Sequence, residues 1–182
     1  MRMLPLPRWA CRFIRDTQGV SAVEFALLLP LMLTMYLGGS EVAQAIAASR
    51  KVTLVSRALA DLASQSASIN NAAMTNILNA SAAVIAPYAS SKLKVTVSQV
   101  TVDANGNATV TWSDTLGGTE HLDGDSVTLP AALKVANTSL IWSEVEYDYE
   151  PTFGSGITGP MTLRDQLYMR PRLSNDVKRP AT

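Results

Sequence analysis

Histidine and cysteine each occur once among the 182 residues, and Asp, Glu, Lys and Arg together supply only 16% of them. A single cysteine leaves no disulfide framework within the monomer, so stability must come from packing or from partners. One histidine and one cysteine make no metal-binding or nucleophile–base pattern, and the glycine patterns that cradle phosphates are absent. No catalytic constellation emerges, and the chain reads as a non-enzyme with no cofactor and no metal. The formal net charge is zero, so no nucleic-acid partner is expected. A chain of this length suits one membrane anchor and one modest domain.

What is present is concentrated near the start. Residues 20–40 form an apolar run in which Glu24 is the one charged side chain. About 20 residues at a helical rise of about 1.5 Å each match a hydrocarbon core of roughly 30 Å. A carboxylate there costs a few kcal/mol unless something pairs with it. Gly19 stands at the boundary between this run and a basic segment. That segment carries Arg2, Arg8, Arg12 and Arg15 against Asp16, a balance of +3 that leaves the remainder near −3. Arginines on the N-terminal flank keep that side cytoplasmic and send the rest across. Cys11 then stays inside, and the exported part has no cysteine.

The pattern G-x-x-A-V-E-F-A-L-x-x-P over residues 19–30 resembles the N-terminus of TadE-like proteins. These are pilin-like minor subunits of tight-adherence (Tad/Flp) secretion and pilus systems. The likeness extends more weakly along the helix to about residue 66, and the stretches 145–151 and 168–172 share it. The resemblance implies that a prepilin peptidase cuts after Gly19, which makes Val20 the new N-terminus and Glu24 the fifth residue. It also implies a place in the bacterial cytoplasmic membrane, with the lipid bilayer and other pilin-like subunits as partners. In such assemblies the glutamate pairs with the α-amine of a neighbouring subunit. Both charges are expensive alone in a low-dielectric core, and their mutual attraction there is strong.

The expected organisation is a leader over 1–19, removed by cleavage, and a transmembrane helix over 20–40. An amphipathic extension of the same helix follows over 41–66, then an exported head over 67–182. Val42, Ala45, Ile46, Ser49, Val52, Val55, Leu59, Leu62 and Ala63 recur at helical spacing. That stripe packs either on its own domain or on neighbouring subunits. Pro30 is a candidate kink. A polar break over 65–71 precedes a second helix over 72–86, stopped by Pro87. Residues 93–102 and 108–113 alternate as a hairpin around an Asn105-Gly106 turn, with a bulge expected at Gln99. Residues 116–127 read as a loop and 130–136 as a short helical turn. Residues 139–150 read as a strand with Ile141, Val145, Tyr147 and Tyr149 on one face and Glu144, Glu146, Asp148 and Glu150 on the other. A loop over 151–160 leads to a fourth, edge strand over 167–173, and the C-terminal residues read as loose. The fold class is α+β: a long N-terminal single-pass helix, a second helix and a small antiparallel sheet, a pilin-like head.

Two further groups carry alternative readings. His121 sits in an acidic turn and reads as a solvated histidine. The acidic row reads first as a wet face, second as a salt-bridged one with Arg164, Arg170 and Arg172 available, and last as a site for a basic partner. The reading followed is a minor pilin-like component of a Tad/Flp machine, acting in pilus biogenesis and surface adherence. The alternative is a secreted or membrane-anchored extracytoplasmic binding protein unrelated to pili. Ala43-Gln44-Ala45 offers a small-residue cleavage site for its secreted form.

Overall fold

The computed structural model describes residues 18–152 and 159–180. Most of the basic segment, Cys11 and the middle of the 151–160 loop lie outside the described residues. The chain divides into two compact units, one ending at Ala43 and one beginning at Gln44.

Helix α1, Gln18–Ser64, runs through Pro30 as one element. Its stretch within the first unit buries nothing against its own fold: Phe25, Leu27, Leu28, Leu31, Met35 and Tyr36 are all exposed. Two hydroxyls in that stretch bond back to the helix, Thr34 Oγ1 to the Leu31 carbonyl and Ser40 Oγ to the Leu37 carbonyl, both at 2.8 Å. Such local bonds hide polar groups from an apolar surrounding.

From Gln44 onward α1 belongs to a two-layer α+β unit. Helix α2, Asn71–Ile85, is capped by Asn70, whose Oδ1 accepts from Ala73 N at 2.8 Å. Strands β1 (Leu93–Val102), β2 (Ala108–Leu116), β3 (Thr138–Tyr149) and β4 (Met161–Met169) form one antiparallel sheet in the order β2-β1-β3-β4. A short 3-10 turn, Ala131–Leu133, stands where a helical turn was expected.

Both helices cover one sheet face. Ala48, Val52, Val55, Leu59 and Ala63 of α1 share a core with Met74, Ile77 and Ile85 of α2 and with Val95, Val97, Trp112, Ile141, Val145 and Tyr147 of the sheet. The α1 stripe therefore packs on its own domain, with a shift from the expected positions. Ala48 is buried, whereas Val42, Ile46 and Leu62 are exposed. Periodicity marked the right face of the helix but not which apolar residues the sheet reaches.

A second, smaller core lies on the far face of the sheet. It joins Val100, Val102, Ala108, Leu140 and Trp142 to Leu129 from the segment between β2 and β3. This explains the slip of phase at Gln99. β1 itself keeps perfect register with β3, and its even-numbered residues simply turn apolar where the far face is covered. The bulge exists, but its extra residue is Thr111 of β2, because Gln99 pairs with Trp112 and Val100 with Val110. That extra residue lets Trp112 enter the helix-side core while Val110 and Ala108 face the other way. The connecting turn is the expected one: Gly106 has φ +84°, and the Asp103 carboxylate accepts from the Asn105 and Asn107 amides at 2.8 Å.

Two boundary expectations change. The edge strand is Met161–Met169, not 167–173, so Pro171 falls after it. The C-terminal residues are docked rather than loose. Val177 is buried; its N–H donates to Gln99 Oε1 at 2.7 Å and its carbonyl accepts from Trp112 Nε1 at 2.8 Å. Arg179 donates to Asp114 through Nε at 2.8 Å and Nη2 at 2.6 Å. Contacts made at long sequence separation leave no local pattern to read.

Candidate functional site

The residues singled out from the sequence cluster at the beginning of α1. Gly19 is its second residue, and a Cβ built there would meet nothing within 4 Å. Val20 follows, exposed. Glu24 lies on the same helix, exposed, and makes no ion pair among the described residues. Gly19–Ser64 is the one stretch of helix among the described residues long and apolar enough to cross a membrane. Its most apolar window has a mean hydropathy of 1.9, and none of that window is buried within the fold.

This segment also decides the comparison with known proteins. Residues 19–61 match the family described as TadE-like protein. The match begins at Gly19, covers Glu24 and the whole apolar run, and ends inside the part of α1 that packs on the sheet. The resemblance in the N-terminal pattern is therefore borne out over the TadE-like segment. That family is one of structural Tad pilus components, and the similarity is confined to residues 19–61, the stretch that holds the candidate membrane span. No curated protein and no solved structure matches the chain.

The head beyond the TadE-like segment places the remaining candidates. The acidic row stays partly exposed, but it is not left to solvent alone. Its four carboxylates meet four different bases: Glu144 with His121 Nε2 at 2.5 Å, Glu146 with Arg164 Nε at 2.9 Å, Asp148 with Lys94 Nζ at 2.9 Å and Glu150 with Lys92 Nζ at 2.6 Å. The second reading, a salt-bridged face, is the one realised. Of the three arginines considered, only Arg164 serves, because it is the residue directly opposite Glu146 in the β3–β4 ladder. Arg172 instead pairs with Asp61 of α1 at 2.5 Å. Two bases come from the β1 side, which faces β3 along its other edge and offers Lys94 on the same pleat.

These pairings shift proton affinities. The hydrogen bond from Lys94 is the main cause holding the Asp148 carboxyl below its usual range. Lys92 and Lys94 rise above theirs, first through their bonds to Glu150 and Asp148. Arg179 is raised by its hydrogen bonds to Asp114. Tyr147 and Tyr168 are raised chiefly by burial, which keeps both phenols protonated.

His121 is not a solvated residue of an acidic turn. Its ring stacks on Trp142 with centroids 4.7 Å apart and planes 17° apart, and Trp142 stacks on Tyr168 at 5.7 Å and 13°. Sequence reasoning missed this row of three rings. One signal was available: Trp142 has the parity of Glu144 and Glu146, so it had to share their face. The partner strand was expected to start six residues late, which put Tyr168 near its beginning rather than opposite Trp142, and His121 arrives from a segment with no periodicity at all. Among the described residues no group of three His, Cys, Asp or Glu is arranged to hold a metal ion.

Proposed function

We propose that this chain is a minor pilin-like subunit of a Tad/Flp-type pilus machine. In this reading it is inserted in the cytoplasmic membrane by α1, cleaved after Gly19 by a prepilin peptidase, and assembled with other pilin-like subunits through Glu24. It acts in pilus biogenesis and surface adherence, with the head extracytoplasmic. One coincidence carries the reading: the TadE-like match opens at a glycine that begins an unburied apolar helix whose single charge up to Ser40 is Glu24.

The physical argument for Glu24 is one of pairing. Cleavage creates a cation, the α-amine of Val20, at a similar depth to the carboxylate. A helix does not readily fold its first amine back onto its fifth side chain, so the amine of a neighbouring subunit is the better partner. Such a pair offsets two desolvation costs and fixes the axial register of one helix on the next.

Mass spectrometry of the mature chain tests the processing step. A chain beginning at Val20 is expected, and Gly19→Leu should keep the leader. A mature N-terminus at Ile46 favours the secreted alternative, for which the start of the second compact unit at Gln44 is the supporting observation. Cutting there would, however, remove the Gln44 carbonyl that accepts from Tyr88 Oη at 3.4 Å, and Ala45, which packs on the core. Glu24→Gln should be inserted and cut normally yet fail to co-purify with the other pilin-like subunits. Normal co-purification would reduce Glu24 to a tolerated stray carboxylate.

A further inference from the structure

On the far face of the sheet the row of stacked rings borders a shallow pocket of about 320 Å³. We propose that this pocket binds a single neutral sugar ring of a glycan. The inference rests on the head alone and stands whether or not the chain is a pilus subunit.

The aromatic side of the pocket is preorganised. Trp142 is only 8% exposed, held between His121 and Tyr168, and its ring cannot turn without breaking both stacks. His121 is fixed in turn by Glu144. Tyr168 stands on β4 at the end of the row, half-buried, and its hydroxyl has no hydrogen-bond partner among the described residues. Groups already ordered before binding lose little freedom on binding, which matters most for weak, small ligands. A protonated phenol beside ring carbons suits a ligand that is apolar on one side and hydroxylated on the other.

The rim supplies the matching polar groups. Gln166 accepts a long bond from Trp142 Nε1 at 3.4 Å through Oε1, which leaves both amide N–H bonds to donate. Thr128 contributes a hydroxyl that donates or accepts. Asp125 uses Oδ2 to accept from the Leu122 amide at 2.9 Å and keeps its other oxygen for a ligand. Donors and acceptors converging on an aromatic wall are the means by which a site reads a polyol.

The lining also says what the pocket does not take. Among the described residues no lysine or arginine borders it, so a phosphate, sulfate or sialic acid would meet the Asp125 carboxylate without the guanidinium or ammonium that usually holds such groups. A wholly apolar ligand would leave the Gln166 amide and the Tyr168 hydroxyl unpaired. The volume sits at the bottom of the range for small-molecule sites, roughly 300–1,000 Å³, which fits one ring rather than an extended chain.

The test uses the full chain in a detergent without a sugar headgroup. Methyl glycosides of glucose, galactose, mannose and N-acetylglucosamine serve as probes, with sialic acid and choline as anionic and cationic controls. Saturation-transfer NMR should show saturable, millimolar binding of at least one neutral glycoside and weaker binding of both controls. Gln166→Ala should weaken that binding about fivefold, the effect of one lost hydrogen bond, with only a small drop in melting temperature from the long Trp142 Nε1 bond it also removes. Tyr168→Ala should abolish it; if that variant is destabilised, Gln166→Ala alone decides. Absence of saturable binding by every neutral glycoside overturns the proposal. So does preference for either charged control, or unchanged affinity in Gln166→Ala.

Discussion

Helix α1 is one continuous helix with two kinds of apolar surface. Before Ala43 nearly every large side chain is exposed and charge is almost absent. From Gln44 on, a narrow stripe of Ala48, Val52, Val55, Leu59 and Ala63 is buried, while Arg50, Lys51, Arg57 and Asp61 occupy other positions. A helix apolar all round needs an apolar solvent, whereas a helix apolar along one stripe needs a partner layer. Hydrophobicity alone does not separate these cases; the distribution of the polar residues does.

The strongest way to break the contrast is inside the stripe. Leu59→Ala removes a fully buried side chain and should cost about 2–5 kcal/mol in a denaturation measurement. A loss below about 1 kcal/mol would mean that this part of α1 is not integral to the head. Next comes the C-terminal strap. Arg179→Ala deletes the two bonds to Asp114 together with those to the Ile69 carbonyl and Asn71 Oδ1. About 1–3 kcal/mol should be lost, and a neutral result would detach the strap from the fold.

Acid and base should sharpen the picture at smaller amplitude. Asp103, through the Asn107 side chain first, and Asp148, through Lys94 first, have carboxyls held below their usual range. Such groups add stability that is present above the unfolded value near 4 and is lost as pH falls through the folded value. Lys92 and Lys94 are raised, so their contribution is complete below about 10.4 and is lost as pH rises through the folded values. The melting temperature should therefore be level around neutrality and decline at both ends. Higher stability at pH 3 than at pH 7 would contradict the pairings.

The exposed Glu146–Arg164 pair is smaller again. A double-mutant cycle should return about 0–1 kcal/mol. Coupling well above 1 kcal/mol would show that this face is drier than its exposure implies. At the bottom of the scale, Leu28→Ala should leave the head's melting within about 0.5 kcal/mol, while weakening retention in the membrane fraction. A clear loss of head stability would end the distinction between the two parts of α1.

Much of this was legible along the chain because it is local. The glycine boundary, the run with Glu24, the α2 segment stopped by Pro87, the Asn-Gly turn and the alternation of β3 all follow from short-range pattern. The acidic row was legible as a row but not as four carboxylate–base pairs, because its partners come from β1 and the turn before it, from β4 and from the segment after β2. Even Arg164, considered from the start, needed the true register of β4 to be chosen over Arg170.

The sequence by itself determined where the chain turns from basic to apolar, which carboxylate stands in the apolar run, and that a head of two elements, helix and antiparallel strand, follows. Composition and period suffice for this, since they act over one to a few turns or one pleat. Only the tertiary structure decided which side of the sheet is dry at each end. The segment after β2 folds over Val100, Leu140 and Trp142 and leaves Glu144 onward to the bases. That covering also brings His121 onto Trp142 and Tyr168. The physical reason is distance along the chain: residues 121, 142 and 168 share no local pattern, and their stacking follows from strand register and loop closure alone.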